Sequence, residues 1–332
     1  MKKILALAPA LLMATTALSQ AADYTLSMAH AAIGEENPIN LAAIYFKNEL
    51  EKRTNGQVEV TLYPGGQMGN DRELVELVQD GTLDLAMPTV SKLAPWDKAF
   101  SAPGIPYIFP DRNVALEVLN GEFGDYLNTR LEPMGLTSIG WFEGGFRQIT
   151  NNVRPITKPD DLKGIKIRTM PVDAHIAVFK HLGANPTPMA FSELYSALQQ
   201  KVVDGQENPL INIVANRMYE VQDYVSLTNH VYSAYIVLAN PESMENLPTE
   251  IQGEVKATLQ DALRYQLDVI DKEEAGYVKQ IEETGTKVNA LSPQQIGAFQ
   301  AKISEIEGEL AAMIGEETYK VLKDAVAKAS SN

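Results

Sequence analysis

Apolar and polar residues alternate along two short stretches near the start of the chain, "YTLSMA" at 24–29 and "VEVTLYP" at 58–64. That is the twofold period of a half-buried strand. Between them Ile39, Ala42, Ala43, Phe46 and Leu50 recur at helical spacing in a segment that begins at Pro38. Another helical stretch and then "GTLDLAMP" at 81–88 complete a β-α-β-α-β order, which predicts a parallel sheet with helices on its faces. A second series of the same kind starts near Ile149 and includes "IKIRTM", "AHIAVFKHLGA" and "VVDGQENP". From Thr249 onward, Ile251, Val255, Leu259, Leu263, Leu267 and Ile270 mark one face of a long helix that runs toward Glu283. "SPQQIGAF" opens a further helix, with Ser292 as N-cap and Pro293 in the first position.

The two series share an echo. "ELVELVQDGTLD" starts at Glu73 and "ELYSALQQKVVD" at Glu193; aligned, they match Gln79 with Gln199 and Asp84 with Asp204. Each reads as a helix feeding a strand. Chance similarity of two amphipathic helices is one explanation, and two similar α/β lobes is the other. In open α/β sheets ligands bind beyond the carboxyl ends of strands, so two such lobes facing each other make a cleft.

Composition narrows the setting. The first residues, "MKKILALAPALLMATTALSQAA", carry two lysines, an apolar run and a small-residue end, the signature of a secretory signal peptide. Residues 1–21 are assigned to it, with cleavage after Ala21 or Ala22. No other apolar run approaches the roughly 20 residues of a spanning helix. The mature chain is therefore expected in a Gram-negative periplasm. The absence of cysteine excludes disulfides and thiol catalysis. The formal charge of −15 becomes −17 once Lys2 and Lys3 leave with the leader, and such a surface repels nucleic acid and anionic lipid. An anionic ligand then needs a local cationic pocket.

Signatures of catalysis are scarce. There is no His-Glu-x-x-His, no Gly-x-Ser-x-Gly and no phosphate-binding Gly-x-x-x-x-Gly-Lys, and no cofactor or metal is expected. His175 and His181 stand six apart, a poor metal spacing, and read as packing or surface residues. His30 ends the first strand and is a cleft candidate. Arg168 closes the otherwise apolar strand "IKIR", and Arg147 lies in "GGFRQIT", where Gly144-Gly145 is a candidate hinge before a new strand. Each arginine is either an ion-pair partner of a protein carboxylate such as Glu207 or a ligand contact, for which the planar guanidinium fork suits a carboxylate. Asn208 precedes Pro209 after another strand end and is either a turn residue or a donor to the same anion. Phe191 is either core or an apolar cleft wall. Asp71, Glu143 and Asn208 would suit a hydroxylated acid.

"GGFRQITNNVRPITKPDDLKGIKIRTMP", "GANPTPMAFSELYSALQQKVVDGQENPL", "YEVQDYVSLTNH", "LYPGGQMGNDRELVELVQDGTLDLAM" and "GIPYIFPD" together resemble the substrate-binding proteins of tripartite ATP-independent periplasmic (TRAP) transporters, the DctP type. The resemblance runs from about Tyr24 to past Thr249. It implies a bilobal α/β fold of the periplasmic-binding-protein type II kind, with a ligand cleft and a long helix bracing both lobes. The lobes are expected as 22–143 plus 233–270 and 144–232 plus 271–325, followed by a tail at 326–332.

The resemblance places the carboxylate-binding arginine on Arg168, a second cleft arginine on Arg147, the site asparagine on Asn208 and the aromatic beside the ligand on Phe191. Asp71 falls where some members touch ligand hydroxyls. Thr89 stands where sialate-binding members carry glutamate, which argues against sialate. It further implies a monomer that captures a small organic acid, a sugar acid or C4-dicarboxylate, and delivers it to the small and large permease subunits. In the open state both arginines are expected to be partly solvated. A binding protein that serves a membrane sensor and an exported enzyme remain as alternatives.

Overall fold

The computed structural model describes residues 22–331, so the expected signal peptide lies outside the described residues. Ten strands carry the fold: β1 (Tyr24–Ala29), β2 (Val58–Tyr63), β3 (Leu85–Ala86), β4 (Thr137–Asn151), β5 (Lys166–Thr169), β6 (Asn185–Pro188), β7 (Gly205–Pro209), β8 (Tyr224–Leu227), β9 (Tyr232–Ala239) and β10 (Lys287–Ala290). Their order is β2-β1-β3-β9-β4-β7-β5-β6, with β8 pairing β4 and β10 pairing β8.

The two ends of this order repeat one design. β1 pairs parallel with β2 and β3, and β5 pairs parallel with β6 and β7. The echoed aspartates explain why. Asp84 Oδ2 accepts the Ser27 backbone N–H at 2.7 Å, and Asp204 Oδ2 accepts the Lys166 backbone N–H at 2.8 Å. In each lobe a helix, Asp71–Gln79 or Phe191–Gln199, leads through its aspartate into a strand beside the lobe's first strand. The echo is thus a structural repeat.

The expected parallel pairing holds within each series, and the strands that join the two series run antiparallel. β4 and β9 run antiparallel to each other and β9 runs antiparallel to β3. β4 is one 15-residue strand through both lobes; its first part pairs β9 and its last part pairs β7 and β8. The Gly144-Gly145 junction therefore lies inside a strand instead of preceding a new one. It forms a bulge, with a register shift between Glu143 and Gly145, where φ at Gly145 is +86°. A Cβ on Gly144 would stand 2.6 Å from the Ser233 carbonyl oxygen, so only glycine lets β9 approach.

The helix Thr249–Glu283 has the bounds its apolar face predicts. Val255, Leu259 and Ala262 enter one core with Phe46 and Val60, while Tyr277 and Ile281 enter another with Leu198 and Val225. One helix is thereby buried in both lobes. At its middle the fully buried Gln266 clamps the β4 bulge: its Oε1 accepts the Glu143 N–H at 3.0 Å and its Nε2 donates to the Glu143 carbonyl at 2.8 Å. The Ser292 cap is present, reciprocated by Gln295.

The C-terminal helices touch both halves. Thr318 and Tyr126 share a hydroxyl–hydroxyl hydrogen bond of 2.8 Å, and Lys328 pairs with Glu122 at 2.6 Å. His181 Nε2 meets the Lys302 carbonyl at 2.9 Å. The helix Glu316–Ala329 packs on residues that the sequence reading gives to the first lobe, and it runs on into the expected tail because Ala329 is buried.

Gln266→Leu leaves the Glu143 N–H and C=O without their partner in a buried place. We expect the unfolding free energy of the ligand-free protein to fall by about 2–4 kcal/mol, read by chemical denaturation. Unchanged stability would show that the clamp contributes nothing.

Candidate functional site

A cavity of about 410 Å³ lies between the lobes. β5 and β4 bring Arg168 and Arg147 to it, β7 brings Asn208, and the start of the helix Phe191–Gln199 brings Ala190, Phe191 and Ser192. From the other lobe come Asp71, at the start of its helix, and Thr89, which bridges to Tyr235 on β9. Six of the eight sequence candidates therefore meet in one place.

His30 and Glu143 are not among the lining residues. His30 is buried after β1, and burial lowers its pKa to about 4, so it is neutral. The Glu143 side chain is 3% exposed and accepts from the Tyr232 hydroxyl at 3.0 Å, with Arg112 Nε at 3.9 Å. Burial raises its pKa to about 8 against the pull of Arg112. The β4 bulge accounts for its place: its backbone is fixed on Gln266 and its carboxyl is engaged by Tyr232.

The two arginines have different jobs. Arg147 is 2% exposed and Glu207 is 0% exposed. Arg147 Nε donates to Glu207 Oε2, and its Nη2 donates to Oε1 at 2.9 Å and to the Asn208 amide oxygen at 3.1 Å. Register brings them together. Arg147 stands opposite Pro209 and Ile149 opposite Glu207 across the antiparallel β4–β7 pair, so arginine and glutamate are diagonal neighbours on one face. Burial alone would raise the Glu207 carboxyl. Arg147, joined by His230 Nε2 at 3.3 Å, outweighs it and holds that carboxyl well below the usual range. Arg147 is thus already matched by a carboxylate of the protein.

Arg168 is not. It is 1% exposed, and its Nε and Nη2 donate to the Met189 carbonyl at 3.1 and 2.8 Å. Its Nη1 is buried without a hydrogen-bond partner. Burial lowers its pKa to about 10, against the pull of Glu207. Both arginines are thus buried in this arrangement. An uncompensated guanidinium edge beside a cavity is a preformed place for an anion, because leaving it unpaired is costly.

Lys92, Met170, Asn212 and Tyr235 also line the cavity and were not read from the sequence. Lys92 sits in the 3-10 turn Val90–Leu93, too short for any periodicity to single out. Burial and then the nearby Arg168 pull its pKa down to about 7. Asn208 has half of its amide committed, since its Nδ2 donates to Gln206 Oε1 at 2.5 Å. Among the described residues no group of His, Asp or Glu could hold a metal ion, and no helix is long and apolar enough to cross a membrane.

Two α/β lobes, a shared bracing helix and a cationic cavity between them define a solute-binding protein. Residues 28–312 match the model of DctP, bacterial extracellular solute-binding protein family 7, and the chain belongs to that family. It is 32% identical over 323 residues to the C4-dicarboxylate-binding periplasmic protein DctP of Rhodobacter capsulatus, covering 97% of this chain and 96% of that one. Among solved structures, the sugar acid binding protein of Advenella mimigardefordensis in complex with galactonate superposes with a TM-score of 0.89 at 31% identity, covering 93% of this chain and all of that one. A TRAP periplasmic solute binding protein of Sulfurospirillum deleyianum with bound succinate gives 0.85 at 32% identity, covering 91% and 99%. The chain is thus a substrate-binding protein of the TRAP type, in a periplasmic transport family that works with membrane permease components.

The contrast between the arginines has a measurable consequence in the ligand-free protein. Arg147→Ala strands Glu207 beside His230, and a broken buried pair costs about 3–5 kcal/mol. Arg168→Met removes an under-satisfied buried cation, which offsets the loss of both donors to the Met189 carbonyl, so its melting temperature should fall by clearly less than that of Arg147→Ala. Equal losses in thermal melts of the two variants would refute the division of roles.

Proposed function

We propose that the protein captures a small organic acid in the periplasm and hands it to the small and large subunits of a TRAP permease. The observation that carries this reading is the partnerless Arg168 Nη1, buried at the cavity. A ligand carboxylate completes it with charge-assisted hydrogen bonds, which are about twice as strong as neutral ones. The remaining amide hydrogen of Asn208 donates to the same anion, and Phe191 supplies an apolar wall against the carbon chain. Arg147 assists by fixing Asn208 and Glu207. Thr89 leaves no carboxylate at its position, which disfavours sialate. The bound molecules of the relatives, a galactonate and a succinate, are both carboxylates and support the class.

The protein works as a monomer without cofactor and is exported by residues 1–21. Its role is capture and delivery without catalysis, and energy for transport enters through the permease. The lobes are built on 22–143 with 233–270 and on 144–232 with the segment from 271, and the helix Glu316–Ala329 crosses back to pack on the first lobe. They close about the β4 and β9 crossings and the long helix. Closure excludes water from the cavity and strengthens each ionic contact. The closed state gains only as much population as the ligand's preference for it provides.

Titration calorimetry should show micromolar or tighter binding of the cognate acid and a loss of at least a hundredfold for its methyl ester, which is about 2.7 kcal/mol. Small-angle scattering should show a smaller radius of gyration at saturation. Equal affinity for acid and ester would refute carboxylate capture, and an unchanged radius would refute closure.

A further inference from the structure

Three of the chain's passages between the lobes meet in one place away from the cavity. β4 crosses at Glu143 and Gly144, β9 crosses at Tyr232 and Ser233, and the helix Thr249–Glu283 crosses near Asp271. Register holds the two strands together there, with Glu143 opposite Ala234, Gly145 opposite Ser233 and Phe146 opposite Tyr232. Two side-chain contacts span the joint. The Tyr232 hydroxyl donates to Glu143 Oε2 at 3.0 Å. Arg112, the first residue of the helix Arg112–Leu119, donates from Nη2 to Asp271 Oδ1 at 2.5 Å. Its Nε stands 3.9 Å from Glu143 Oε2.

The charges at this joint do not balance. The Glu143 carboxyl faces Arg112 from the helix Arg112–Leu119, Tyr232 from β9, and Asp271 and Glu274 from the long helix. One guanidinium thus meets three carboxyl groups. The two on the long helix are exposed, and water stabilises their charges. Glu143 is buried beside Tyr232, whose ring lies edge-on to Phe109 and Phe146. Burial, joined by Glu274 and Asp271, raises its carboxyl to about 8 against the pull of Arg112 and of the Tyr232 hydrogen bond. A charged Glu143 is therefore repelled across the joint by Asp271 and Glu274 of the other lobe, in a place where little water weakens the repulsion.

We propose that Glu143 is a proton-operated latch of the hinge: its neutral carboxyl lets the lobes pack at the crossings with Tyr232 bonded across them, and loss of its proton drives Glu143 away from Asp271 and Glu274 and shifts the protein toward the open form. This rests on the lobe boundaries and the closure read above. The ligand cavity takes no part, since Glu143 does not line it. The closed form holds the proton up to about pH 8, whereas an unfolded glutamate releases it near its ordinary value of 4.5. Stability from this group is full below that ordinary value and is lost as pH rises through about 8. Opening admits water to the carboxyl and lowers its pKa, so opening and deprotonation favour each other. Solute is thereby held most firmly below about pH 8 and released more readily above it.

The chain has no cysteine, so single cysteines placed at the exposed Thr61 of the first lobe and Val202 of the second can carry spin labels whose separation reports the joint. Pulsed distance measurements on the ligand-free protein between pH 6 and 9.5 should show the closed population falling at least twofold as pH passes about 8. Glu143→Gln keeps an acceptor for Tyr232 and cannot ionise, so its distances should not respond. Groups that titrate elsewhere act on both proteins alike. Thermal melts supply the second readout. Glu143→Gln should match the wild type near pH 5 and exceed it by a margin that grows up to about pH 8 and then stays constant. Absence of that margin overturns the proton on Glu143. The margin together with distances that ignore pH marks a buried acid with no part in the hinge, and overturns the latch. Closure on solute is judged by the scattering experiment above, so either reading can fail alone.

Discussion

Arg147 and Glu207 face each other diagonally across β4 and β7 with almost no solvent between them. Two charges in such a place survive only as a pair, and His230 and Asn208 take up what the pair leaves over. The consequence spreads outward. The pair ties β4, the strand that passes through both lobes, to β7, and β7 in turn lies against β5. Arg168 is thereby set next to a glutamate that is already spent. It keeps its charge, has no carboxylate of its own, and lines the cavity with one buried nitrogen left unpaired. A pair that satisfies itself leaves the neighbouring cation without a carboxylate of the protein.

The empty cavity is therefore a place of stored electrostatic cost. Arg168 Nη1 and Asp71 Oδ1 are buried without protein partners, and burial with Arg168 lowers the Lys92 pKa to about 7. Each of these groups makes the arrangement less favourable than its packing alone would give. A ligand that supplies the missing groups recovers that cost on binding. The rest of the fold has to be stiff enough to hold these groups in place, and the helix Thr249–Glu283 with its Gln266 clamp on the β4 bulge provides that stiffness between the lobes.

Local pattern carried much of this. The bounds of β1, the start of the long helix and the Ser292 cap follow from periodicity and capping chemistry. The Asp84–Asp204 echo was legible as a repeat because each aspartate does the same local work on the first strand of its lobe. What was not legible depends on pairing between distant segments. Nothing near Gly144 announces that the strand runs on through the glycines, since the reason is the Ser233 carbonyl on β9. Glu207 was named as a possible partner for either arginine, but only the β4–β7 register decides that it belongs to Arg147. Glu143 read as a candidate for a hydroxylated ligand; the bulge gives its carboxyl to Tyr232 instead. Lys92 had no pattern to mark it, because a four-residue turn has no period.

The central claim is that the partnerless edge of Arg168, and not the more richly bonded Arg147, anchors the ligand carboxylate. Titration calorimetry of Arg168→Lys, with a melt of the ligand-free variant alongside, tests it most directly. Lysine keeps the charge but loses the fork that bonds Met189 and the ligand together. The account predicts a normally folded variant whose dissociation constant rises by about 30-fold or more, which is about 2 kcal/mol or more. Wild-type affinity in that variant would contradict the account.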